Sequence, residues 1–123
     1  MPKTIMIVDD EADIQELVCA ILEPEGFNMV SASDGNECLD KLKTLKPDLI
    51  LLDMMMPGIS GRETCKKIRA NPKTNDIKVA FLTVAKFSES GQGILEKMNI
   101  SDYITKPFDN LDFVKRVKNI VGN

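Results

Sequence analysis

Short apolar runs alternate with helix-like patterns five times along this chain, and this rhythm constrains its fold more than any other feature. The apolar runs are typical of strands and lie at residues 5–8, 29–32, 48–52, 79–82 and 103–105. Apolar residues at the spacing of one helix face fall within residues 14–22, 38–45, 64–68, 94–98 and 113–121. Strands that alternate with helices predict an α/β fold with a parallel sheet covered on both faces.

The third apolar run predicts the centre of that sheet. Its residues Leu49 to Leu52 are apolar at every position, so both of its faces must be buried. Pro47 ends the helix before it, and Asn99 is suited to end the fourth helix because Asn tolerates the left-handed backbone conformation. Since no low-complexity linker interrupts the rhythm, we expect residues 1–123 to form one domain.

Composition excludes several classes of function. The chain has no histidine, which removes the commonest general base and zinc ligand, and with them serine triads and Cys–His dyads. The three cysteines, Cys19, Cys38 and Cys65, form no CxxC motif and are typical of small buried residues in a reducing compartment. A net charge of −3 without a basic stripe argues against direct nucleic-acid binding, and the apolar runs are too short for membrane insertion. We therefore expect a cytoplasmic protein.

Side chains capable of chemistry stand where four of the five predicted strands end, namely Asp9 and Asp10, Asp53, Thr83 and Lys106. In an open α/β sheet, ligands bind at the carboxyl ends of the strands. Crowded carboxylates need a neutralising cation, and Mg²⁺ takes oxygen ligands, typically one or two carboxylates. A lysine and a hydroxyl can bind the oxygens of a phosphoryl group, whose transfer needs mainly positioning and charge neutralisation. The pattern predicts phosphoryl transfer with Mg²⁺ as cofactor and Asp53 as the main candidate for the acceptor.

Nucleotide-binding folds fit the sequence less well. The turn after the first strand reads Asp9-Asp10-Glu11 instead of a glycine-rich turn, and its charges would repel a pyrophosphate. Gly91-Gln92-Gly93 is a fragment of such a motif in the wrong place, and no GxxxxGK[ST] motif is present.

Four segments carry a family resemblance that covers the whole chain: IVDDE at the first strand, DLILLDMMMPGISG around Asp53, FLT at the fourth strand and DYITKPF at the fifth. Together they resemble the receiver domain of two-component response regulators, the family of the chemotaxis regulator CheY. The resemblance implies a doubly wound (βα)5 fold of the flavodoxin-like and CheY-like type, with strand order 2-1-3-4-5. It implies a signalling module that catalyses only its own phosphorylation and dephosphorylation.

The resemblance also implies a role for each acidic residue. Asp53 would accept a phosphoryl group from the phosphohistidine of a sensor histidine kinase or a histidine phosphotransfer protein. Asp10 would bind Mg²⁺ directly and Asp9 through water, while Asp53 and the backbone carbonyl of Met55 would complete the protein ligands.

The remaining implied roles concern phosphoryl binding and switching. Lys106 would bind the phosphoryl oxygens and precede a cis bond to Pro107. Thr83 and Tyr103 would form a switch pair that reshapes the face built from the fourth helix, fifth strand and fifth helix. That face would meet a downstream protein or an output domain, in a monomer or a phosphorylation-dependent dimer.

Several residues depart from the family pattern or are expected to set the rate of dephosphorylation. Val84 replaces the usual Ala or Gly after the switch threonine and narrows access to the phosphoryl group, and Asn99-Ile100 replaces the customary Gly-Ala. Met55 and Ala85 occupy the two positions suited to orienting a hydrolytic water, and neither forms a useful hydrogen bond to water. We therefore predict slow self-hydrolysis of the phosphoryl group.

Two alternatives remain open from the sequence. The chain is either a free-standing regulator or a receiver domain excised from a larger regulator or hybrid kinase. A magnesium-dependent phosphatase with an aspartyl nucleophile is less well supported, because such enzymes typically place a second Asp two residues after the nucleophile, where this chain has Met55.

Overall fold

The computed structural model describes residues 2–84 and 98–122. Its strands are β1 (Thr4–Val8), β2 (Asn28–Ala32), β3 (Leu49–Asp53), β4 (Lys78–Thr83) and β5 (Asp102–Thr105). Its helices are α1 (Ala12–Leu22), α2 (Gly35–Lys41), α3 (Gly61–Ala70) and the C-terminal helix (Asn110–Val121), and a 3-10 turn, Glu23–Glu25, follows α1. Each predicted strand is present, with bounds that differ from the prediction by at most one residue at either end.

The five strands form one parallel sheet in the order β2-β1-β3-β4-β5, as the resemblance implied. The central strand β3 is buried at every residue, which explains its continuous apolar sequence. Successive side chains of a strand point to opposite faces of the sheet. In β3, Leu49 and Leu51 therefore pack on one side, and Ile50 and Leu52 on the other.

Helices cover both faces of the sheet. The core under α1 and the C-terminal helix includes Val18, Leu22, Phe113 and Val117, while the core under α2 and α3 includes Cys38, Cys65 and Ile68. The first core contains Ile5 and Ile7 from β1, and the second contains Met6 and Val8. The chain therefore has the parallel sheet covered on both faces that its rhythm predicted, in the doubly wound arrangement that the resemblance implied.

Helix boundaries follow local capping chemistry. The side chains of Asp34, Ser60 and Asp109 accept backbone N–H groups at the starts of α2, α3 and the C-terminal helix. The sequence predicted that the second helix reaches Leu45, whereas α2 ends at Lys41. After Lys41 the N–H groups of Lys43 and Thr44 bond to carbonyls three residues back, the tighter pattern that is common at helix ends.

The predicted fourth helix lies largely outside the described residues, which include only Met98 among its marker positions. Asn99 has a φ of 54°, which confirms the prediction that this residue adopts the left-handed conformation. Among the residues that the structure describes, no helix is both long and apolar enough to cross a lipid bilayer.

Candidate functional site

The sheet brings the predicted site residues to one edge. β1 and β4 flank β3, with Val8 beside Leu52 and Asp53 beside Leu82. Thr83 ends β4 beside Thr105, which is followed by Lys106. Residues far apart in sequence therefore meet because the carboxyl ends of parallel strands share an edge.

The three aspartates form one cluster at this edge. Asp9 is fully buried, Asp53 is 5% exposed and Asp10 is exposed. One carboxylate oxygen of each lies within 4.8 Å of the others. Oxygen ligands of one Mg²⁺ stand at most about 4.2 Å apart, so small side-chain rotations would bring all three around one ion. The all-oxygen donor set and its spacing fit Mg²⁺.

Lys106 places a positive charge inside this cluster. Its Nζ atom lies 2.6 Å from Asp9 Oδ2 and 3.7 Å from Asp53 Oδ2. Its backbone N–H donates to the Thr83 carbonyl at 2.7 Å, which fixes the end of β5 against β4. The Lys106–Pro107 bond is cis, as the resemblance implied.

The ionisation of Asp53 reflects this crowding. Burial raises the pKa of Asp53 to about 6, and the charges of Asp9 and Asp10 add to the rise. The Met55 N–H, which donates to Asp53 Oδ1 at 3.1 Å, and the Lys106 charge oppose it. A buried carboxylate with a raised pKa is one whose negative charge a bound cation would stabilise.

The loop after β3 holds the acceptor candidate in place. The Gly61 N–H donates to the Met54 carbonyl at 3.0 Å, and a Cβ at Gly61 would overlap the backbone of Asp53 and Met54. Only glycine therefore lets α3 begin this close to Asp53. The Met55 side chain is 65% exposed.

The predicted switch residues occupy different environments. Thr83 is fully buried, while Tyr103 is half-buried and meets Phe81 edge-on. The Tyr103 hydroxyl donates to Met54 Sδ at 3.8 Å, and burial raises its pKa against the opposing charge of Arg62.

An apolar groove lies beside Lys106. Val84, 67% exposed, lines this cavity of about 340 Å³ together with Glu11, Ile14, Leu17, Pro107 and Phe108. Ala85, predicted to tune hydrolysis, lies outside the described residues.

Comparison with known proteins identifies the family. A family model described as the response regulator receiver domain matches residues 5–118. The chain belongs to this family. It is therefore a receiver domain of two-component signalling, a class of domains that interact with histidine kinases and output domains, and the predicted main function is confirmed at that level.

Individual relatives agree with this assignment. The receiver domain is 41% identical over 121 residues to the phosphate regulon transcriptional regulatory protein PhoB of Escherichia coli, covering 98% of this chain and 52% of PhoB. It thus spans about half the length of the curated relatives it matches.

Solved structures agree as well. The chemotaxis protein CheY4 of Vibrio cholerae superposes with a TM-score of 0.90 at 24% identity over 98% of this chain and 99% of that one, which establishes the shared fold. The response regulator TrrA of Thermotoga maritima, solved with Mg²⁺ and BeF, has a TM-score of 0.81 at 35% identity, covering 96% and 98% of the two chains.

Sequence reasoning missed Gln15. Its Nε2 atom donates to the Asp9 carbonyl at 2.7 Å and lies 3.4 Å from the Ala32 carbonyl and from Ser33 Oγ. Gln15 therefore ties the loop that carries Asp9 to the end of β2. The available signal was its position three residues before Val18, on the otherwise apolar stripe of α1.

Proposed function

We propose that Asp53 of this receiver domain accepts a phosphoryl group from the phosphohistidine of a sensor histidine kinase or histidine phosphotransfer protein. One observation carries the proposal: Asp53 is a buried carboxylate placed between two further aspartates and a lysine at the edge where strands end. The absence of histidine from the chain leaves carboxylates or hydroxyls as acceptors.

The acidic cluster would hold the cofactor. Asp10 is the direct ligand in this proposal and Asp9 acts through water, with Asp53 and the Met55 carbonyl completing the protein ligands. Mg²⁺ bound there would neutralise the charge of the phosphoryl oxygens. The burial of Asp9 and the exposure of Asp10 support the division of roles, because a fully buried carboxylate paired with Lys106 is the less accessible of the two.

In the transfer, one Asp53 oxygen attacks phosphorus, a P–O bond forms, and the P–N bond to the donor imidazole breaks with its electron pair going to nitrogen. Lys106 is already within 3.7 Å of Asp53 Oδ2, so its ammonium can move from Asp9 to a phosphoryl oxygen with little displacement. The Thr83 hydroxyl would donate to a second phosphoryl oxygen.

The phosphorylated domain would signal through the Thr83–Tyr103 pair. Phosphorylation adds about two negative charges beside Thr83. The turn of Thr83 toward them would favour an inward Tyr103 ring and reshape the face of the fourth helix, fifth strand and fifth helix. A downstream partner that prefers that shape would stabilise it.

We further propose a long-lived phosphoryl group. Met55, whose side chain is largely exposed, and Ala85 provide no hydrogen bond of useful strength for a hydrolytic water, and Val84 adds bulk at the rim beside Lys106. Slow self-hydrolysis suits a relay or a sustained signal.

We extend the proposal to the partners of the entire protein. Relatives about twice as long carry names that describe transcriptional regulation. This supports the alternative that the chain is the receiver part of a larger regulator. The receiver domain itself would act in the cytoplasm without contacting nucleic acid or entering a membrane, as a monomer or a phosphorylation-dependent dimer.

Labelling tests the proposal directly. Wild-type protein incubated with acetyl phosphate and Mg²⁺ should gain one phosphoryl group by intact mass, and Asp53→Asn or excess EDTA should abolish it. The exposed Asp40, replaced by Asn, is the matched control and should label like wild type. Undiminished labelling of Asp53→Asn would contradict the assignment, and turnover of p-nitrophenyl phosphate would revive the phosphatase alternative.

A further inference from the structure

Arg69, near the end of α3, donates hydrogen bonds to four backbone carbonyls. Its Nη1 atom donates to the carbonyl of Ile77 at 2.7 Å and to that of Asn75 at 3.2 Å. Its Nε atom donates to the carbonyl of Met98 at 2.7 Å, and its Nη2 atom donates to that of Asn99 at 3.2 Å. The guanidinium is planar and its N–H donors have a fixed geometry. One side chain therefore holds four carbonyls in fixed positions relative to one another.

These carbonyls lie at the entries of two neighbouring strands. Ile77 is the last residue before β4, while Met98 and Asn99 lie shortly before β5. The strands β4 and β5 pair directly in the sheet. Because one planar group holds the entries of both strands, it fixes how far β5 is advanced along β4.

The sequence of β5 specifies its own register weakly. β5 is an edge strand of four residues, Asp102–Thr105, of which only Ile104 is buried. A strand with so little apolar patterning is prone to slip in its pairing. The turn before it contains Asn99 with a φ of 54°, a left-handed conformation that glycine adopts more readily than other residues. The bond from Arg69 to the Asn99 carbonyl stabilises this turn.

The register of β5 decides where Lys106 lies. Lys106 directly follows the strand, and its Nζ atom lies 2.6 Å from Asp9 Oδ2. A slip of one residue would move the end of β5 by roughly 3.3 Å along β4 and turn each of its side chains to the opposite face of the sheet. Either change would take the ammonium group out of the aspartate cluster.

We infer that Arg69 is a positioning residue, which fixes the register of β5 on β4 and thereby places the Lys106 ammonium group in the site. Arg69 acts through the main chain, since all four of these bonds go to backbone carbonyls. A lysine at this position could not replace it, because a single ammonium group cannot span the four acceptors. The contact of Lys106 with a phosphoryl group rests on the proposed function, whereas the effect of Arg69 on the register does not.

Amide hydrogen exchange measured by NMR tests the register directly. The N–H groups of Ser101 and Lys106 donate to the carbonyls of Val79 and Thr83, at 2.8 and 2.7 Å, and so report the pairing of β5 with β4. The N–H of Asp48 donates to the first residue of β1 at 2.8 Å and is the internal reference. The ratio of the exchange rates separates a local opening of β5 from a general loss of stability.

In Arg69→Met, exchange at Ser101 and Lys106 should rise roughly tenfold or more relative to Asp48, because hydrogen bonds from a charged donor are lost. Arg69→Lys should give a smaller rise. Lys67→Met, which alters an exposed lysine of the same helix, is the matched control and should leave the ratio unchanged. Far-UV circular dichroism establishes that each variant is folded, and Arg69→Lys decides the question if Arg69→Met does not fold. An unchanged ratio in the folded Arg69 variants overturns the inference.

Calorimetric titration with beryllofluoride in the presence of Mg²⁺ tests the consequence for the site. Arg69→Met should weaken binding of this phosphoryl mimic roughly tenfold, and Lys67→Met should not. In a Lys106→Ala background Arg69→Met should weaken binding no further, because Arg69 acts through Lys106. Equal weakening in both backgrounds, or none in a protein whose Lys106→Ala variant binds less tightly, overturns the positioning of Lys106.

One outcome separates this inference from the proposed function. If Lys106→Ala binds beryllofluoride as tightly as wild type, the proposed contact of Lys106 with the phosphoryl group fails. The exchange ratios of Ser101 and Lys106 then decide by themselves whether Arg69 fixes the register of β5.

Discussion

Replacing Asp53 by Asn should stabilise the fold when no divalent cation is present. The folded state holds Asp53 buried beside two other carboxylates, which raises its pKa from 3.8 to about 6. A difference of about two pH units corresponds to about 3 kcal/mol of unfolding free energy above pH 6. Because water at the rim beside the exposed Asp10 screens these charges, we expect a gain of roughly 1 to 2 kcal/mol.

The pH dependence of this gain has a definite sign. Below pH 3.8 Asp53 is protonated in both the folded and the unfolded state, so the Asn variant has no advantage. Between pH 3.8 and about 6 only the unfolded state ionises fully, and the wild-type fold loses stability relative to the variant. Above pH 6 the difference is constant.

Urea unfolding followed by circular dichroism in EDTA at pH 4, 6 and 8 would measure the gain. Asp40→Asn is the control. Asp40 lies on α2, and its side chain is 76% exposed. Within the described part of the chain, its one ion pair is with the exposed Lys43. The effect of this variant should stay within about 0.5 kcal/mol. Mg²⁺ should reduce the advantage of Asp53→Asn, since a bound cation stabilises only the intact carboxylate cluster. A variant no more stable than wild type at pH 8, or a gain that persists unchanged at pH 4, would refute the reasoning.

Three further predictions concern the cofactor and the phosphoryl lifetime. Asp10→Ala should weaken Mg²⁺ binding at least tenfold by isothermal titration calorimetry, because it removes the proposed direct ligand; unchanged affinity contradicts that role. Gln15→Leu should weaken Mg²⁺ binding about three- to tenfold, because the loop that carries Asp9 loses a 2.7 Å hydrogen bond; an unchanged affinity in a folded variant would limit Gln15 to packing. Met55→Asn combined with Ala85→Glu should speed phosphate release about tenfold or more, because both new side chains can orient water. If the phosphoryl group is lost at the same rate from wild type and from the double variant, these two positions do not set its lifetime.

The sequence by itself determined the architecture and the location of the site. The continuous apolar run from Leu49 to Leu52 required burial on both faces, which predicted a central parallel strand, and that strand is β3. Asp53, Thr83 and Lys106 could be assigned to one edge because the carboxyl ends of parallel strands coincide. The order of the strands was implied by the family resemblance rather than by the periodicity.

Only the tertiary structure decided which environment each of two neighbouring residues occupies. Asp9 and Asp10 are adjacent and chemically alike, yet Asp9 is buried against Lys106 and Asp10 is exposed, because the chain turns away from the sheet between them. The contact of Tyr103 with Met54 joins residues 49 positions apart, and its distance depends on how β5 and the loop after β3 pack together. Periodicity reports which face of an element is buried, whereas the partner of each side chain depends on packing between elements, which no local pattern encodes.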